Sequence, residues 1–413
     1  MVPKGVESCV GSTTDGQAAA HRGFVIGIDA TNLRQGGGRT HLIELLLAAD
    51  PTTHGVQKVI VWGGCATLAA LEDRPWLKKI NPPELDCGLF RRTLWQWFSL
   101  SRAVRAAGCD LLFVPGGSYA GDFHPVVTMS QNMLPFDWGE LRRYGWSLTA
   151  LKLLLLRISQ SSSFKRADGV IFLTRYAKQE VLKVTGVLNG QMATISHGLN
   201  SRFAMAPRPQ RPIESYSIDS PYRLLYVSII DQYKHQWHLV EAVAQLRQRT
   251  QWPLVLDLIG PAYPPALKRL KASLHRFDRE NSLTRYHGAM PYADMHRMYA
   301  QADLGVFATS CENMPNILLE TMAAGLPVAC SNRGPMPEIL QDAGVYFDPE
   351  IPEEITRALR QLIISPDLRA ELAKASYMAT KAFTWERCAA DTFEFLAETI
   401  RRYNKMSPVC AVS

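Results

Sequence analysis

The chain has 413 residues, of which 47% are hydrophobic and 20% are charged, and its formal net charge at pH 7 is +7. This length fits two domains rather than one, and the composition is that of an ordinary globular protein. The eight cysteines are scattered and none forms a Cys-x-x-Cys pair, so neither a zinc site nor a disulfide framework is indicated.

The sequence also indicates the cellular compartment and the kinds of partner to expect. No apolar run reaches the length of a membrane-spanning helix, and no apolar core follows Lys4, so we expect no signal peptide. Scattered cysteines are typical of a reducing cytoplasm. The mild positive charge suits an anionic membrane surface or a phosphorylated substrate. No nucleic-acid-binding motif accompanies the charge, so we expect no nucleic-acid partner.

The first half of the chain alternates strand and helix patterns after a polar segment, residues 1–22, that predicts a flexible tail. This alternation predicts a parallel sheet covered by helices on both faces, with ligands beyond the carboxyl ends of the strands. The predicted strands cover residues 24–29, 56–62, 110–115, 126–130, 168–173 and 192–196, and helices follow from near Thr40, through Leu94 to Ala107, and from Thr174.

Glycines follow the first predicted strand. Gly36, Gly37 and Gly38 allow a tight turn and a close backbone approach before the helix that begins near Thr40. A glycine triplet is also consistent with an ordinary loop that contacts no ligand.

The segment Trp146 to Ile158 is unusually rich in leucine. Its leucines surround more than one helical face, Lys152 and Arg157 are its only charges, and it is too short to cross a bilayer. One interpretation is a core-facing helix with basic ends. The other is an interfacial helix on an anionic membrane.

A proline-rich linker, residues 201–221, separates the two halves. The second half opens with a strand at 222–229, and Lys234 then lies at the transition to a helix at 237–247. There its ammonium group and the helix end can both meet a phosphate. Further predicted strands cover 254–260, which ends at Gly260, and 283–288, and predicted helices cover 292–300 and 384–403.

Residues Ala302 to Leu340 form the most informative unit. A buried strand at 304–308 leads through a turn to Pro315 and a helix from about Asn316 to Ala324, which ends at Gly325. Glu312 lies in the turn and Glu320 on the helix. The start of such a helix favours a bound phosphate, and the two acids can accept hydrogen bonds from hydroxyl groups of an elongated ligand.

Glu312, the seven-residue gap, Glu320 and the Ala-Gly-Leu-Pro-Val of residues 324–328 resemble the donor-site signature of the retaining glycosyltransferases of the GT-B fold, called family 4. The resemblance covers about residues 24–403 and is weaker toward the N-terminus. It implies an α/β protein with two Rossmann-like, doubly wound parallel-sheet domains that face a cleft. The acceptor domain would span 23–204, the donor domain 222–383, and helix 384–403 would cross back onto the first domain.

The resemblance also implies roles for single residues. Lys234 matches a lysine that binds the donor's pyrophosphate. Ile229 replaces a basic residue, which leaves less positive charge for the diphosphate unless Arg39 or Arg333 substitutes. Gln131 and Asn132 stand where many members carry a cleft histidine, although Asn132 can also simply close a turn. His197 replaces a frequent asparagine and either lines the cleft or lies in an exposed turn. We predict catalytic roles for Glu312, Lys234 and Asn132, and donor-binding roles for Glu320, Asn316, Pro315, Asn313, Gly37, Gly38, Gly260 and His287.

The implied reaction moves a hexose from a nucleotide diphosphate sugar to a glycan or lipid-linked acceptor with retained configuration. No Asp-x-Asp pair is present to hold a metal, and no cofactor is implied. A nucleotide-sugar epimerase of the same fold, and a donor-binding partner subunit without catalysis, remain alternatives. The sequence identifies neither the sugar nor the base nor the acceptor.

Overall fold

The computed structural model of the protein describes residues 23–406. The tail predicted at residues 1–22 lies outside the described residues, as does most of the tail predicted at residues 405–413, whose first two residues end the last helix. Between them the chain builds two parallel sheets, of seven and six strands. The predicted pair of parallel-sheet domains is therefore confirmed.

The first sheet has the strand order β3-β2-β1-β4-β5-β6-β7, with every pair parallel. The order reverses between β1 and β4, which is the topological switch point where ligands of such sheets bind. The strands are β1 (Phe24–Asp29), β2 (Val56–Trp62), β3 (Leu77–Ile80), β4 (Leu111–Val114), β5 (Val126–Ser130), β6 (Gly169–Phe172) and β7 (Gln191–Thr194).

The second sheet has the order β10-β9-β8-β11-β12-β13 and is also parallel. Its switch point lies between β8 and β11, the strands that precede Lys234 and Glu312. The two predicted site residues thus meet at one edge although they are far apart in the sequence. The strands are β8 (Tyr222–Val227), β9 (Leu254–Ile259), β10 (Thr284–Tyr286), β11 (Leu304–Phe307), β12 (Val328–Ser331) and β13 (Val345–Phe347).

Helices cover both faces of each sheet. In order they are α1 (Gly36–Ala48), α2 (Cys65–Leu68), α3 (Leu89–Phe98), α4 (Leu100–Ala106), α5 (Trp138–Arg142), α6 (Leu148–Arg166), α7 (Arg175–Thr185), α8 (Gln236–Thr250), α9 (Pro264–Phe277), α10 (Met295–Gln301), α11 (Asn316–Ala323), α12 (Met336–Leu340), α13 (Pro352–Ile363), α14 (Pro366–Ala379) and α15 (Trp385–Met406).

Different helices pack on the two faces of the first sheet. One hydrophobic core joins Trp95 of α3, Phe164 of α6 and Val181 of α7 to Leu112 and Phe172 of the strands. The opposite face packs against α1 and α15, and the ring of Phe395 on α15 lies against Gly169 of β6. The last helix therefore contacts the first domain, although the chain reaches it from the second.

Several predicted element boundaries are wrong. Helix α1 begins at Gly36 rather than near Thr40. Gly36 takes a left-handed φ of 70°, and the next two glycines are already helical. The helix predicted through Leu94 and Ala107 is two helices, α3 and α4. The helix predicted at 292–300 is a 3-10 turn at Tyr292–Asp294 followed by α10. Helices α9, α13 and α14, which each carry proline in the first turn, and strand β3 were not predicted.

Within residues 23–406, no helix combines the length and the apolar character that crossing a membrane requires. In the same part of the chain, no group of His, Cys, Asp or Glu side chains has the arrangement to hold a metal ion.

Candidate functional site

A cleft of about 650 Å³ lies between the carboxyl ends of the two sheets and is lined by residues of both domains. It is the size of a small-molecule site. Three predicted residues, Asn132, Pro315 and His287, do not line it. Eight do: Gly37, Gly38, Lys234, Gly260, Glu312, Asn313, Asn316 and Glu320.

Lys234 is the cation of this cleft. It is only 6% exposed, and its ammonium group pairs with the carboxylate of Glu312. The same ammonium lies 4.7 Å from the ring centroid of Tyr233 and 5.8 Å from that of Phe307. A charge buried this deeply requires a partner of opposite sign. Among the described residues that line the cleft, Lys234 is the only lysine or arginine.

The two basic residues expected to substitute at position 229 are engaged elsewhere. Arg39 donates a hydrogen bond of 3.1 Å to the backbone carbonyl of Ala66, and Arg333 pairs with Asp348. Neither lines the cleft in this structure, so neither adds its charge to that of Lys234 there. Ile229 itself is part of the lining.

The amino end of α11 faces the first domain. Asn316, its first residue, has its side chain 3.2 Å from Nδ1 of His197, and Asn313 donates a 3.1 Å hydrogen bond to the hydroxyl of Ser130. Pro315 precedes the helix as its cap residue and is buried behind the lining. The unpaired N–H groups of the first turn, with the positive end of the helix dipole, make this end suited to an anion.

Glu320 lies one to two turns further along α11 and is 4% exposed. The hydroxyl of Tyr292 donates to its Oε1 at 2.8 Å, and that of Tyr299 to its Oε2 at 3.2 Å. Burial raises the pKa of Glu320 to about 7, against the opposing effect of the two tyrosine hydrogen bonds. Glu320 can therefore accept further hydrogen bonds as a carboxylate, and it titrates close to neutral pH.

The first domain contributes a less charged wall. Gly37 faces open space, whereas a Cβ on Gly38 would come within 2.9 Å of the Gln131 side-chain oxygen. Thr40 and Gln131 also line the cleft, together with one acid, Glu44. A side chain at position 38 would therefore require the Gln131 side chain to move, whereas position 37 has room for one.

His197 lies in the cleft wall and is buried, so of the two predicted alternatives the cleft-lining one is confirmed. Its ring stacks on His41 at 4.6 Å between centroids and on Trp385 at 5.7 Å. Burial lowers the pKa of His197 to about 4 and that of His41 well below its usual value. Both imidazoles are therefore neutral, and Nε2 of each is buried without a hydrogen-bond partner among residues 23–406.

Two predicted site residues have other partners. The side-chain oxygen of Asn132 accepts a 3.1 Å hydrogen bond from the N–H of Leu134, which closes the turn after β5. Its neighbour Gln131 points into the cleft instead. Nε2 of His287 lies 2.7 Å from the carboxylate of Asp257, outside the cleft lining.

Sequence reasoning does not find several contributors to the site, among them His41, Tyr292 and Tyr299. The sequence places His41 only on a helix. It places the two tyrosines, seven residues apart, in a predicted helix and does not identify them as donors to Glu320. That seven-residue spacing is the signal that places both hydroxyls on one side of a helical segment.

A family model described as "Glycosyl transferases group 1" matches residues 211–378, most of the second domain. The motif around Glu312 and Glu320 lies within this match, so the likeness to glycosyltransferases is supported for this domain.

Known proteins with related sequences include the O-antigen chain mannosyltransferase B of Escherichia coli. It is 26% identical over 243 residues, which span 57% of this chain and 61% of that protein. A glycogen synthase of Mycobacterium tuberculosis is 24% identical over 361 residues, 83% of this chain and 82% of that protein. The chain therefore spans less than two thirds of the length of the mannosyltransferase but most of the glycogen synthase.

Solved structures share the fold across nearly the whole chain. Anabaena Alr3699/HepE in complex with UDP and glucose has a TM-score of 0.64 and 17% identity, and covers 91% of this chain and 100% of its own. WaaG, a glycosyltransferase involved in lipopolysaccharide biosynthesis, has a TM-score of 0.66 and 14% identity, over 90% of this chain and 99% of its own. These neighbours confirm the predicted GT-B fold.

Proposed function

We propose, on the premise that residues 211–378 match the glycosyl transferases group 1 family, that this chain is a retaining family 4 glycosyltransferase. It moves a hexose from a nucleoside diphosphate sugar to a hydroxyl of a glycan or lipid-linked acceptor. One observation carries the proposal: Lys234, the amino end of α11 and Glu320, all from the second domain, line the same cleft. Their chemistry matches the diphosphate and ribose of such a donor.

The diphosphate is assigned to Lys234 and the amino end of α11. As the glycosidic bond breaks, negative charge grows on the leaving phosphate, and a fixed ammonium and helix N–H groups stabilise that charge without reorganising. The phosphate competes with Glu312 for the ammonium, so donor binding exchanges one ionic partner of Lys234 for another. We propose that these groups, rather than a metal ion, neutralise the leaving group.

The ribose is assigned to Glu320. Its two oxygens already accept from Tyr292 and Tyr299, and each carboxylate oxygen retains a second lone pair for a ribose hydroxyl. The tyrosines hold the carboxylate in one orientation. Asn313, Asn316 and Gly260 complete the donor side of the cleft.

The hexose is assigned to Glu312, which would accept hydrogen bonds from its hydroxyls. Neither Glu312 nor Glu320 acts as a nucleophile in this proposal. Retention then requires that acceptor and leaving group share one face of the sugar, as the family resemblance implies. The leaving phosphate can accept the proton of the acceptor hydroxyl as the new bond forms.

The acceptor is assigned to the first-domain wall. Gly37, Gly38, Thr40 and Gln131 offer backbone and neutral hydrogen-bonding groups, which suit the hydroxyls of a glycan. Relatives named for O-antigen and lipopolysaccharide assembly support a glycan or lipid-linked acceptor in polysaccharide biosynthesis. We propose a cytoplasmic enzyme, because all six cysteines among the described residues are free thiols.

The test has two stages. Uridine and guanosine diphosphate sugars are first screened for thermal stabilisation of the protein, which rises with ligand affinity. The stabilising donor is then supplied in labelled form, with and without membrane extract, and with a chelator in a parallel sample. Transfer that needs the extract and is unaffected by the chelator is the expected result.

The other outcomes contradict the proposal in distinct ways. Product formed from the donor alone indicates epimerisation or hydrolysis. Stabilisation without product in any extract indicates a binding subunit. Inverted configuration in the isolated product contradicts retention while leaving the transferase assignment intact.

A further inference from the structure

The outer surface of α6 carries an apolar stripe that the fold leaves uncovered. Leu148, Leu151, Leu155 and Ile158 recur at helical spacing, and each is more than half exposed. Trp146, just before the helix, is fully exposed. The opposite face supplies Leu153 and Phe164 to the core. The predicted core-facing helix with basic ends therefore describes the buried face of α6 and does not account for the exposed stripe.

The surroundings of the stripe are cationic. The chain carries six lysines or arginines and no acid between Glu140 and Asp168. Of these, Lys152, Arg157, Lys165 and Arg166 take part in none of the ion pairs within residues 23–406. No acid among the described residues neutralises these four charges, although Arg157 and Arg166 each donate a 2.9 Å hydrogen bond to a backbone carbonyl.

A groove of about 560 Å³ joins the two properties. It is lined by the apolar side chains of Leu154, Ile158 and Val184 and by the basic side chains of Arg157, Lys165 and Arg166. An apolar lining beside clustered cations matches the boundary between lipid acyl chains and phosphate head groups.

A second helix on the same face extends the surface. On α3, Phe90, Trp97 and Phe98 are exposed, by 76%, 52% and 70%. Helices α3 and α6 share one hydrophobic core on one face of the first sheet. Neither α3 nor α4 contains an acid, and together they contain four arginines.

We propose that this face, formed by the exposed residues of α3 and α6, docks on an anionic lipid bilayer. Leucines and aromatic rings enter the acyl boundary, and the unpaired lysines and arginines contact lipid phosphates. A second copy of the chain would bring like charges together, which disfavours a self-complementary interface here.

The segment that leads into α6 contacts the second domain close to Lys234. The hydroxyl of Tyr144, just before α6, donates a 2.9 Å hydrogen bond to Asp231, three residues before Lys234. An acceptor held in the bilayer would therefore meet the protein next to the donor site. Docking itself does not depend on the transferase assignment, because vesicle binding is measured without donor.

The experiment is sedimentation of the full chain with vesicles of phosphatidylcholine alone and of phosphatidylcholine with equimolar phosphatidylglycerol. Binding to the anionic vesicles alone, weakened by rising ionic strength, is expected. The triple change Leu151→Ser, Leu155→Ser, Ile158→Ser should weaken it by about tenfold or more. The pair Lys152→Gln, Lys165→Gln should weaken it about fivefold per lysine.

Matched controls come from the second domain and its linker. Ile218→Ser with Ile364→Ser removes equally exposed apolar groups, and Lys268→Gln with Lys271→Gln removes two exposed charges. Both should leave vesicle binding unchanged. All changed residues are exposed, so melting temperatures should remain those of the wild type.

Three results would overturn the proposal. These are equal sedimentation with neutral and anionic vesicles, no sedimentation with either, and equal loss of binding in the control variants. A dimer in solution that dissociates on the triple serine change would assign the face to a second copy instead.

Discussion

The two walls of the cleft differ in how they carry charge. The second-domain wall holds a buried ion pair, Lys234 with Glu312, and a buried acid, Glu320, whose pKa lies near 7. The first-domain wall offers glycine backbone, Gln131 and a neutral His197, with Glu44 as its acid. The charged side chains thus lie on the wall where negative charge would develop on a leaving phosphate. The other wall suits the neutral hydroxyl groups of an acceptor.

The two walls should therefore affect different steps, the charged wall the reaction itself and the neutral wall the binding of the acceptor. A wall that stabilises developing charge changes the barrier of the reaction, whereas a neutral wall mainly orients the acceptor. Changes in the charged wall should therefore be large and electrostatic. Changes in the neutral wall should be smaller and depend on which side chains face the cleft.

The largest expected effect comes from removing the ion pair. The double change Lys234→Met, Glu312→Gln should lower kcat by about a hundredfold to a thousandfold, because the leaving group loses its fixed cation. Changing both residues avoids the unpaired buried charge that either single change would leave. Steady-state transfer rates measure the loss, and circular dichroism checks the fold.

The matched control is the exposed pair of Lys183 with Glu180 on α7. Lys183→Met with Glu180→Gln should leave transfer unchanged, since exposed ion pairs contribute little. Unchanged turnover in the cleft double variant would remove the basis for assigning the diphosphate to Lys234.

The next effect concerns Glu320→Gln, which should weaken donor binding but, near and above pH 7, make the folded state more stable than that of the wild type. Glu320→Gln should weaken donor binding about tenfold or more, because hydrogen bonds to a charged acceptor are lost. It should also abolish a pH dependence of stability. The pKa of Glu320 is raised to about 7 from an ordinary 4.5, so the folded state binds more protons than the unfolded state between these values.

The sign follows from that difference in bound protons. As pH rises from about 4.5 to 7, the wild type should lose up to about 3 kcal/mol of unfolding free energy that the variant retains. Denaturant unfolding at pH 5 and pH 8 measures this. If the two proteins show parallel stability changes, Glu320 is not held in the buried environment described here.

Most of the charged wall could be predicted from the sequence, because its residues lie close together in the chain. Glu312, Asn316 and Glu320 belong to one strand-turn-helix unit, so their spacing fixes their relative positions before any long-range contact is known. The neutral wall is assembled from distant segments. The stack of His41 on His197, and the approach of Gly38 to Gln131, depend on how α1 meets the loop after β5.

The exposed ring of Phe98 shows a second limit. An apolar residue at helical spacing predicts burial only when the fold supplies a partner surface. Phe98 has no such partner surface, because α3 ends at this residue and the chain changes direction at Ser99 before α4 begins.

A smaller effect is expected at the rim that joins the two domains. Glu338 of the second domain accepts hydrogen bonds of 2.9 Å from the N–H groups of Arg175 and Tyr176 at the start of α7. Arg143 makes a two-bond contact with Glu350, at 3.0 and 2.6 Å. Glu338→Gln with Glu350→Gln should loosen the domains without touching the charged wall.

We expect this rim variant to raise the KM for acceptor by about threefold to tenfold while donor binding changes little. Its radius of gyration by small-angle scattering should increase. A loss of donor affinity as large as that of Glu320→Gln would mean that the two walls cannot be treated separately.

The smallest effect is expected from Asn132, and it sharpens the comparison within the neutral wall. The Asn132 side chain closes a turn by accepting from the N–H of Leu134, whereas the side chain of Gln131 lines the cleft. Asn132→Ala should therefore cost about 1 kcal/mol of stability and change transfer by less than about twofold. Gln131→Ala should weaken acceptor use several times more and cost less stability, because its amide makes only a 3.5 Å contact with Nδ1 of His41 and a 3.1 Å contact with the Met129 sulfur. Transfer rates over a range of acceptor concentrations, paired with melting temperatures, distinguish the two. The reverse ranking would restore Asn132 to the catalytic role first predicted for it and would show that this loop rearranges when the acceptor binds.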